Sequence, residues 1–457
     1  MKPKVAAVKE SVACPACGRP HRLTRRSLGR SITCRQCGAP FHLLPKSGEA
    51  PTFISGPGGD DDLRNQVGRQ WLDLRPGQIV AGGCEVISLL GRGGLSSVYH
   101  VRRHDWELDM ALKLPQAATL DRLTAEAFIR EASAWLVPAP HPHVVACHYV
   151  INLMGRPAIF MEYVKGRNLS VLMDEGLGPL YDGQADELAL KLVDLMIQAA
   201  RGLAYVHSLG LRNLDVKPAN LMLEESGRLL IADFAPLNKD EAVEAPDNSR
   251  DFDNDAMTEV SPARLMGTHQ YFSPEAAGSK QTGDTHPDLW ALALSGLECF
   301  LGRRPWEAGS MVGDALESYL SGPCAVPVPL SLAAFFHKAL SSHPVRRYQS
   351  AAEMEMALTD IYARLSFGPY PRRPVGPLPE TADRLNNKAV SFMELGQPAE
   401  ARRLWAEALE LAPGHRVSAF NRLINRFGPD LASLPEAAPG TDTALKLARV
   451  APGEWDF

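Results

Sequence analysis

The sequence predicts an α+β protein built in modules, and three observations predict it. Cysteines come in two tight pairs near the start, Cys14-Pro-Ala-Cys17 and Cys34-Arg-Gln-Cys37. Short apolar strand-like runs (87–90, 110–113 and 158–164) precede long stretches with helical spacing, such as 185–208. Finally, Ala389, Phe392, Gly396, Ala401, Trp405, Ala408 and Pro413 fall at the spacing of one helical pair. The modules are placed at 1–45, a flexible linker at 46–75, a middle domain at 76–365, a Pro-rich linker at 366–380, a helical repeat at 381–430 and a tail at 431–457.

Composition narrows the function. A chain of 457 residues has room for about three domains. Its 45% apolar and 22% charged content is ordinary for a soluble globular protein. A net charge of −5 gives no global attraction to nucleic acid or membrane, so an electrostatic partner site must be local. The longest apolar run, 289–301, is too short to span a bilayer and contains Glu298. The opening MKPKVAAVKE lacks the apolar core of a signal peptide. A cytoplasmic protein is expected.

The first module depends on metal. Cys14, Cys17, Cys34 and Cys37 have the spacing of a closed tetrahedral zinc site, with Gly18 and Gly38 letting backbone amides turn toward the thiolates. About 45 residues bury too little apolar surface to fold alone, and structural Zn²⁺ supplies roughly 10–16 kcal/mol of apparent binding energy. The pattern resembles a zinc ribbon. Four thiolates leave no open position for catalysis. His21, Arg22, Arg25, Arg26 and Arg30 between the pairs read first as a solvated turn, and alternatively as a nucleic-acid or acidic-partner surface.

In the middle domain, Gly91-Arg92-Gly93-Gly94-Leu95-Ser96-Ser97-Val98 lies between two strand-like runs. Such a turn brings main-chain amides close to phosphate oxygens, although alone it is equally an ordinary hairpin. A strand after it, where a dinucleotide fold places a helix, argues against that arrangement. Met110-Ala111-Leu112-Lys113 is an apolar strand ending on a lysine that needs a carboxylate partner. The helix 122–136 offers Glu131; otherwise Glu131 is one charge on a solvated face. The stretch 211–223 (LRNLDVKPANLML) holds Asp215, Lys217 and Asn220 on a loop pinned by Pro218. Its carboxylate suits proton abstraction and its carboxamide suits a hard cation. The run 229–232 then delivers a second carboxylate, Asp233.

Taken in order, these motifs resemble the protein kinases, and more closely the Ser/Thr kinases that bacteria use in signalling. The resemblance spans about 290 residues and implies a bilobal fold, with a small β lobe and a larger helical one. It implies ATP and Mg²⁺ (or Mn²⁺) as cofactors and a protein Ser/Thr hydroxyl as acceptor. Asp215 becomes the general base, Lys217 and Lys113 the phosphate-contacting cations and Glu131 the partner of Lys113. Asn220 and Asp233 become the magnesium ligands. Gly91, Arg92, Gly93, Gly94, Val98, Ala111, Met161, Glu162, Val164 and Met222 line the nucleotide site. Thr268 lies in the docking segment before Glu275, and Arg347 occupies the position that pairs with Glu275. Asp288-Leu289-Trp290 starts a helix that would anchor the catalytic loop from below.

Some residues depart from the family. Its His-Arg-Asp triplet is Asn213-Leu214-Asp215 here, losing a packing residue and the cation that receives a phosphorylated loop. Its Asp-Phe-Gly is Asp233-Phe234-Ala235, where alanine at positive φ would cost about 1–2 kcal/mol. Between 238 and 260 the chain is strongly acidic. The alternative function is therefore a weak or inactive pseudokinase acting as a scaffold or binding protein. A single tetratricopeptide-like pair cannot cover its own apolar face. It is expected to dock on the kinase lobe, continue into 418–425, or receive a peptide or protein partner.

Overall fold

Two short hairpins come first in the computed structural model. β1 (Ser11–Ala13) pairs antiparallel with β2 (Pro20–Arg22), and β3 (Ser31–Thr33) with β4 (Pro40–His42). The two registers correspond position for position: Ala13 faces Pro20 as Thr33 faces Pro40. In sequence, one cysteine pair connects the strands of each hairpin; Cys14, Cys17, Cys34 and Cys37 lie outside the described residues. Beyond these four strands the structure describes 74–116 (without 82, 94–95 and 105), 122–174 (without 154–155), 180–236 (without 214 and 234), 269–277 and 286–427. Gly94, Phe234, Thr268 and the acidic stretch therefore fall outside it.

The chain divides into two compact units: 1–125 with 147–163 and 380–457, and 126–146 with 164–379. In the first, β5 (Ile79–Val80), β6 (Cys84–Arg92), β7 (Ser96–Arg103), β8 (Leu108–Pro115), β9 (Cys147–Leu153) and β10 (Arg156–Glu162) form one antiparallel sheet in the order β5-β6-β7-β8-β10-β9. Burial alternates along β7, with Ser97, Tyr99, Val101 and Arg103 inside, as the period of two requires. Tyr99, Val101, Met110, Leu112, Tyr149 and Phe160 make the core of this face.

The second unit is mainly helical. It holds most of α1 (Arg122–Leu136), a small sheet of β11 (Gly166–Asn168), β13 (Leu221–Glu224) and β14 (Leu229–Ile231), and the pair β12 (Leu211–Arg212) with β15 (Ala235–Pro236). Around them lie α2 (Leu169–Asp174), α3 (Ala185–Ser208), α4 (Pro274–Ala277), α5 (His286–Leu301), α6 (Val312–Leu320), α7 (Leu330–Ala339) and α8 (Ala351–Ser366). α5 is buried on every side from Asp288 to Leu301, so it is the axis of this unit. A glycine is required at 166, where a Cβ would meet the Leu223 carbonyl at 2.0 Å. No described helix is long and apolar enough to cross a membrane.

At the C-terminal end, α9 (Ala382–Glu394), α10 (Pro398–Leu411) and α11 (Arg416–Phe427) belong to the first unit. Pro398 at the first turn of α10 costs no hydrogen bond there. α9 lies along β9, the outer strand of the sheet, and caps it. The Val150 N–H donates to Ser391 Oγ at 2.9 Å and the Asn152 N–H to Glu394 Oε2 at 3.3 Å. Burial at this seam pushes the Cys147 thiol up to about 12 and the His148 imidazole down to about 4. Between α9, α10 and α11, the Asn386 Oδ1 accepts from Trp405 Nε1 (3.1 Å) and Asn421 Nδ2 (3.0 Å), all three residues being buried.

Candidate active site

Strand register sorts the sheet into two faces. Val98 and Ile159 flank Lys113, while His100 and Met161 flank Ala111. Cross-strand partners share a face, and so do residues two apart. Val98, Ala111, Lys113 and Met161 therefore lie together on the face opposite the Tyr99–Leu112–Phe160 core. Lys113 is only 7% exposed. Glu162 continues β10 opposite Met110, and Val164 starts the longer segment of the second unit. At the end of the β6–β7 hairpin, Gly91, Arg92 and Gly93 are exposed. A Cβ at Gly91 would meet nothing within 4 Å, so packing does not require glycine there. The turn is closed by the Gly93 N–H on the Ser96 carbonyl (2.8 Å). The Gln116 amide donates to the carbonyls of Gly93 (2.6 Å) and Ser96 (3.3 Å). Gln116, three residues past Lys113, carries no motif that sequence reading could have found.

The second unit gathers the acids. Pro218 starts a single 3₁₀ turn, Pro218–Asn220, closed by the Asn220 N–H on the Lys217 carbonyl at 2.9 Å. That turn brings Asn220 back onto Asp215: Asn220 Nδ2 donates to Asp215 O and to Asp215 Oδ2, both at 2.9 Å. Lys217 Nζ holds the same Oδ2 at 2.7 Å. One carboxylate oxygen thus receives an ammonium and an amide, which fixes the orientation of the group. Burial raises the Asp215 carboxyl above its ordinary value against the pull of Lys217, and the charge of Asp233 raises it further. Asp233 is therefore close enough to be felt at Asp215. The Ala232 N–H donates to the Asn220 carbonyl at 2.9 Å, which draws the Asp233 segment onto the same loop. Met222 comes next on β13, opposite Leu230, and Glu131 is half-buried on α1.

Buried charges support this loop. Asp288 on α5, 1% exposed, accepts the Asn213 N–H at 2.8 Å and faces His207 Nε2 at 2.8 Å. Arg347 grips Glu275 through two bonds, 2.6 and 2.9 Å, with its guanidinium 4.5 Å from the Trp290 ring centre. Burial alone would raise the Glu275 carboxyl, but Arg347 wins and holds it below its ordinary value.

Two expectations change. Asn213 is not a gap left by a missing packing residue: it is 3% exposed and its side chain is hydrogen-bonded. The positive φ falls on Asp233 (57°), whereas Ala235 is extended in β15 opposite Arg212, so no alanine penalty arises there. Thr268, Gly94 and the four paired cysteines lie outside the described residues. Among the described residues no group of three or more His, Cys, Asp or Glu is arranged to hold a metal.

A sheet hairpin with an exposed glycine turn, a buried strand lysine and an Asp-Lys-Asn loop beside a second aspartate define a kinase-type fold. The model of the protein kinase domain matches residues 84–422, and the chain belongs to that family. It is similar to a probable serine/threonine-protein kinase of Streptomyces coelicolor, 30% identical over 302 residues, covering 64% of this chain and 41% of that protein. Serine/threonine-protein kinase PknD of Mycobacterium tuberculosis is 27% identical over 289 residues, covering 61% of this chain and 40% of its own length. The chain thus spans less than half the length of these two curated relatives. The crystal structure of the PknI kinase domain of Mycobacterium tuberculosis aligns over 63% of this chain and 99% of its own, with 23% identity and a TM-score of 0.45.

Proposed function

We propose that the protein is an ATP-dependent Ser/Thr protein kinase. The observation that carries this reading is the Asp215–Lys217–Asn220 cluster, held at 2.7–2.9 Å, with the charge of Asp233 acting on it. Asp215 would orient the acceptor hydroxyl and take its proton, and its raised pKa brings it nearer to the working range of a base. Lys217, already against Asp215, would steady the transferring phosphoryl group, while Lys113 and the Gly91–Gly93 turn would hold the others. The amide oxygen of Asn220 and the carboxylate of Asp233 are hard donors that fit Mg²⁺ or Mn²⁺. Such a cation, when bound, neutralises charge on the phosphates. The rest is positioning and electrostatics.

The scaffold reading rested on Asn213, Leu214 and Ala235. Two of these lose force, since Asn213 is bonded into the loop and Ala235 sits unstrained in a strand. Labelled γ-phosphate transfer to the protein itself and to a generic basic protein decides between the readings. Wild type should exceed Asp215→Asn and Lys113→Met by about 100-fold or more. Equal signals would leave a binding protein.

The same proposal gives the first module a structural Zn²⁺ on Cys14, Cys17, Cys34 and Cys37, supported by the matching hairpin registers on either side of each pair. Cobalt substitution should give a thiolate charge-transfer band in reduced protein. The helices 382–427 are read as a tetratricopeptide-like unit, the first helix of which is bonded to β9 through Ser391 and Glu394.

A further inference from the structure

We infer that Asn213 is a positioning residue: an uncharged bracket that ties the Asp215 loop to the segment carrying Asp233. This inference rests on the kinase reading above, and it deepens that reading.

The side chain is buried and both ends of its amide are used. Nδ2 donates to the Ala232 carbonyl at 3.1 Å, and Oδ1 accepts the Asp215 N–H at 3.2 Å. The backbone N–H of Asn213 is in turn fixed on Asp288, a nearly inaccessible carboxylate at the start of α5. Ala232 is gripped on its other side as well, its N–H on the Asn220 carbonyl at 2.9 Å. The peptide immediately before Asp233 therefore has its carbonyl set by Asn213.

That peptide leads into a strained residue. Asp233 adopts φ 57°, the left-handed region, which costs an L-residue roughly 1–2 kcal/mol. Such a conformation persists only when its surroundings over-determine it. The two bonds on Ala232 contribute to that constraint by fixing the backbone that leads into Asp233. One side chain thus sets two orientations, the start of the Asp215 loop and the carrier of the second aspartate.

The chemistry asks for one donor and one acceptor on a short stem. A carboxamide has both in fixed places, and an imidazole has both as well. A carboxylate has acceptors only and would face the Ala232 carbonyl without a proton to offer. Leucine has the shape and neither function.

The test compares Asn213→Asp, Asn213→Leu and Asn213→His with wild type in the full chain. The first readout is the rise in melting temperature that Mg²⁺ adds to the ADP-bound protein. The second is the split between kcat and the KM for ATP. Asn213→Asp and Asn213→Leu should lose most of the Mg²⁺ increment while keeping the ADP shift measured without metal. Their kcat should fall about 10- to 100-fold, on the scale found when an outer group that orients metal ligands is removed, here acting through the backbone that leads into Asp233. KM should change by less than about threefold, the nucleotide contacts being elsewhere. Asn213→His should restore both readouts. A folded Asn213→Asp or Asn213→Leu with wild-type increment and kcat overturns the bracket. So does a loss of melting temperature in which all readouts fall together and histidine restores none. A wild type with neither nucleotide shift nor phosphate transfer sinks the kinase reading instead, and the bracket with it.

Discussion

One stretch of chain closes both units, by opposite means. Residues 370–378 lie on the helical unit and hold it through charge. Tyr370 Oη and Arg372 Nε reach Asp194 at 2.5 and 2.9 Å, and Arg372 Nη2 reaches the Gly227 carbonyl at 3.2 Å. Arg201, 8% exposed and paired with Glu355 at 2.7 Å, donates to the carbonyls of Arg372 (3.2 Å) and Arg373 (3.3 Å). Farther along, the Leu378 N–H meets the Pro140 carbonyl at 2.8 Å. Four residues later α9 starts on the sheet unit, where the contacts to β9 are a hydroxyl and a carboxyl whose pKa burial has raised. The 370–378 segment is held on the helical unit by charges, whereas the two bonds from β9 to α9 are weaker polar caps, the Lys388–Glu380 pair at that helix making neither of them. Loss of one partner should therefore cost the first more than the second.

The largest effect is expected at Arg347→Met. It removes the cation that pairs with the half-buried Glu275 carboxylate, and removing one member of a buried pair costs about 3–5 kcal/mol. Denaturant melts should show it in the helical unit; a loss under 1 kcal/mol would break the comparison. Next comes Arg201→Ala, which frees Glu355 and two carbonyls of the 370–378 segment. A loss of roughly 1.5–3 kcal/mol is expected, with earlier proteolysis in that segment. Ser391→Ala leaves the Val150 N–H under α9 without its acceptor and should cost about 1–3 kcal/mol, read in the sheet unit alone.

Acid should separate the units least. Burial lowers His141 in the helical unit and His148 in the sheet unit to about 4 from 6.5. Between these values the unfolded chain takes up protons that the folded one refuses. Each histidine therefore withdraws stability as pH falls from 6.5 toward 4, and neither contributes such a slope above 6.5. Melts across pH 4–8 should give the steeper slope in the helical unit, where burial also lowers His143. His148→Gln should flatten the slope of the sheet unit, and His141→Gln should only reduce that of the helical unit.

The Asp215–Asn220 contact was legible because its geometry is local: a proline two residues before Asn220 turns the amide back onto Asp215 within five positions. The strand carrying Lys113 and the helices at 122 and 185 were legible from apolar spacing. Asn213 was not. Beyond the Asp215 N–H two residues away, its partners lie 19 and 75 residues away, and from sequence it could be read only as a missing histidine. The strain assigned to Ala235 belonged two residues earlier, since the pairing of β15 with β12 keeps Ala235 extended. The Pro-rich segment read as a stiff spacer for a similar reason: Asp194 and Gly227, which bind it, are more than 140 residues upstream.

The cap on β9 has a last consequence. A ligand that binds by lengthening a sheet needs a row of unclaimed amides on its outer strand, and so does a misfolded neighbour. Here Val150 and Asn152 have given theirs to α9, and the opposite border, Ile79–Val80, is two residues long. Strand addition along β9 is therefore opposed at Val150 and Asn152, while on the other border β5 and its approach cover β6 only as far as Val86.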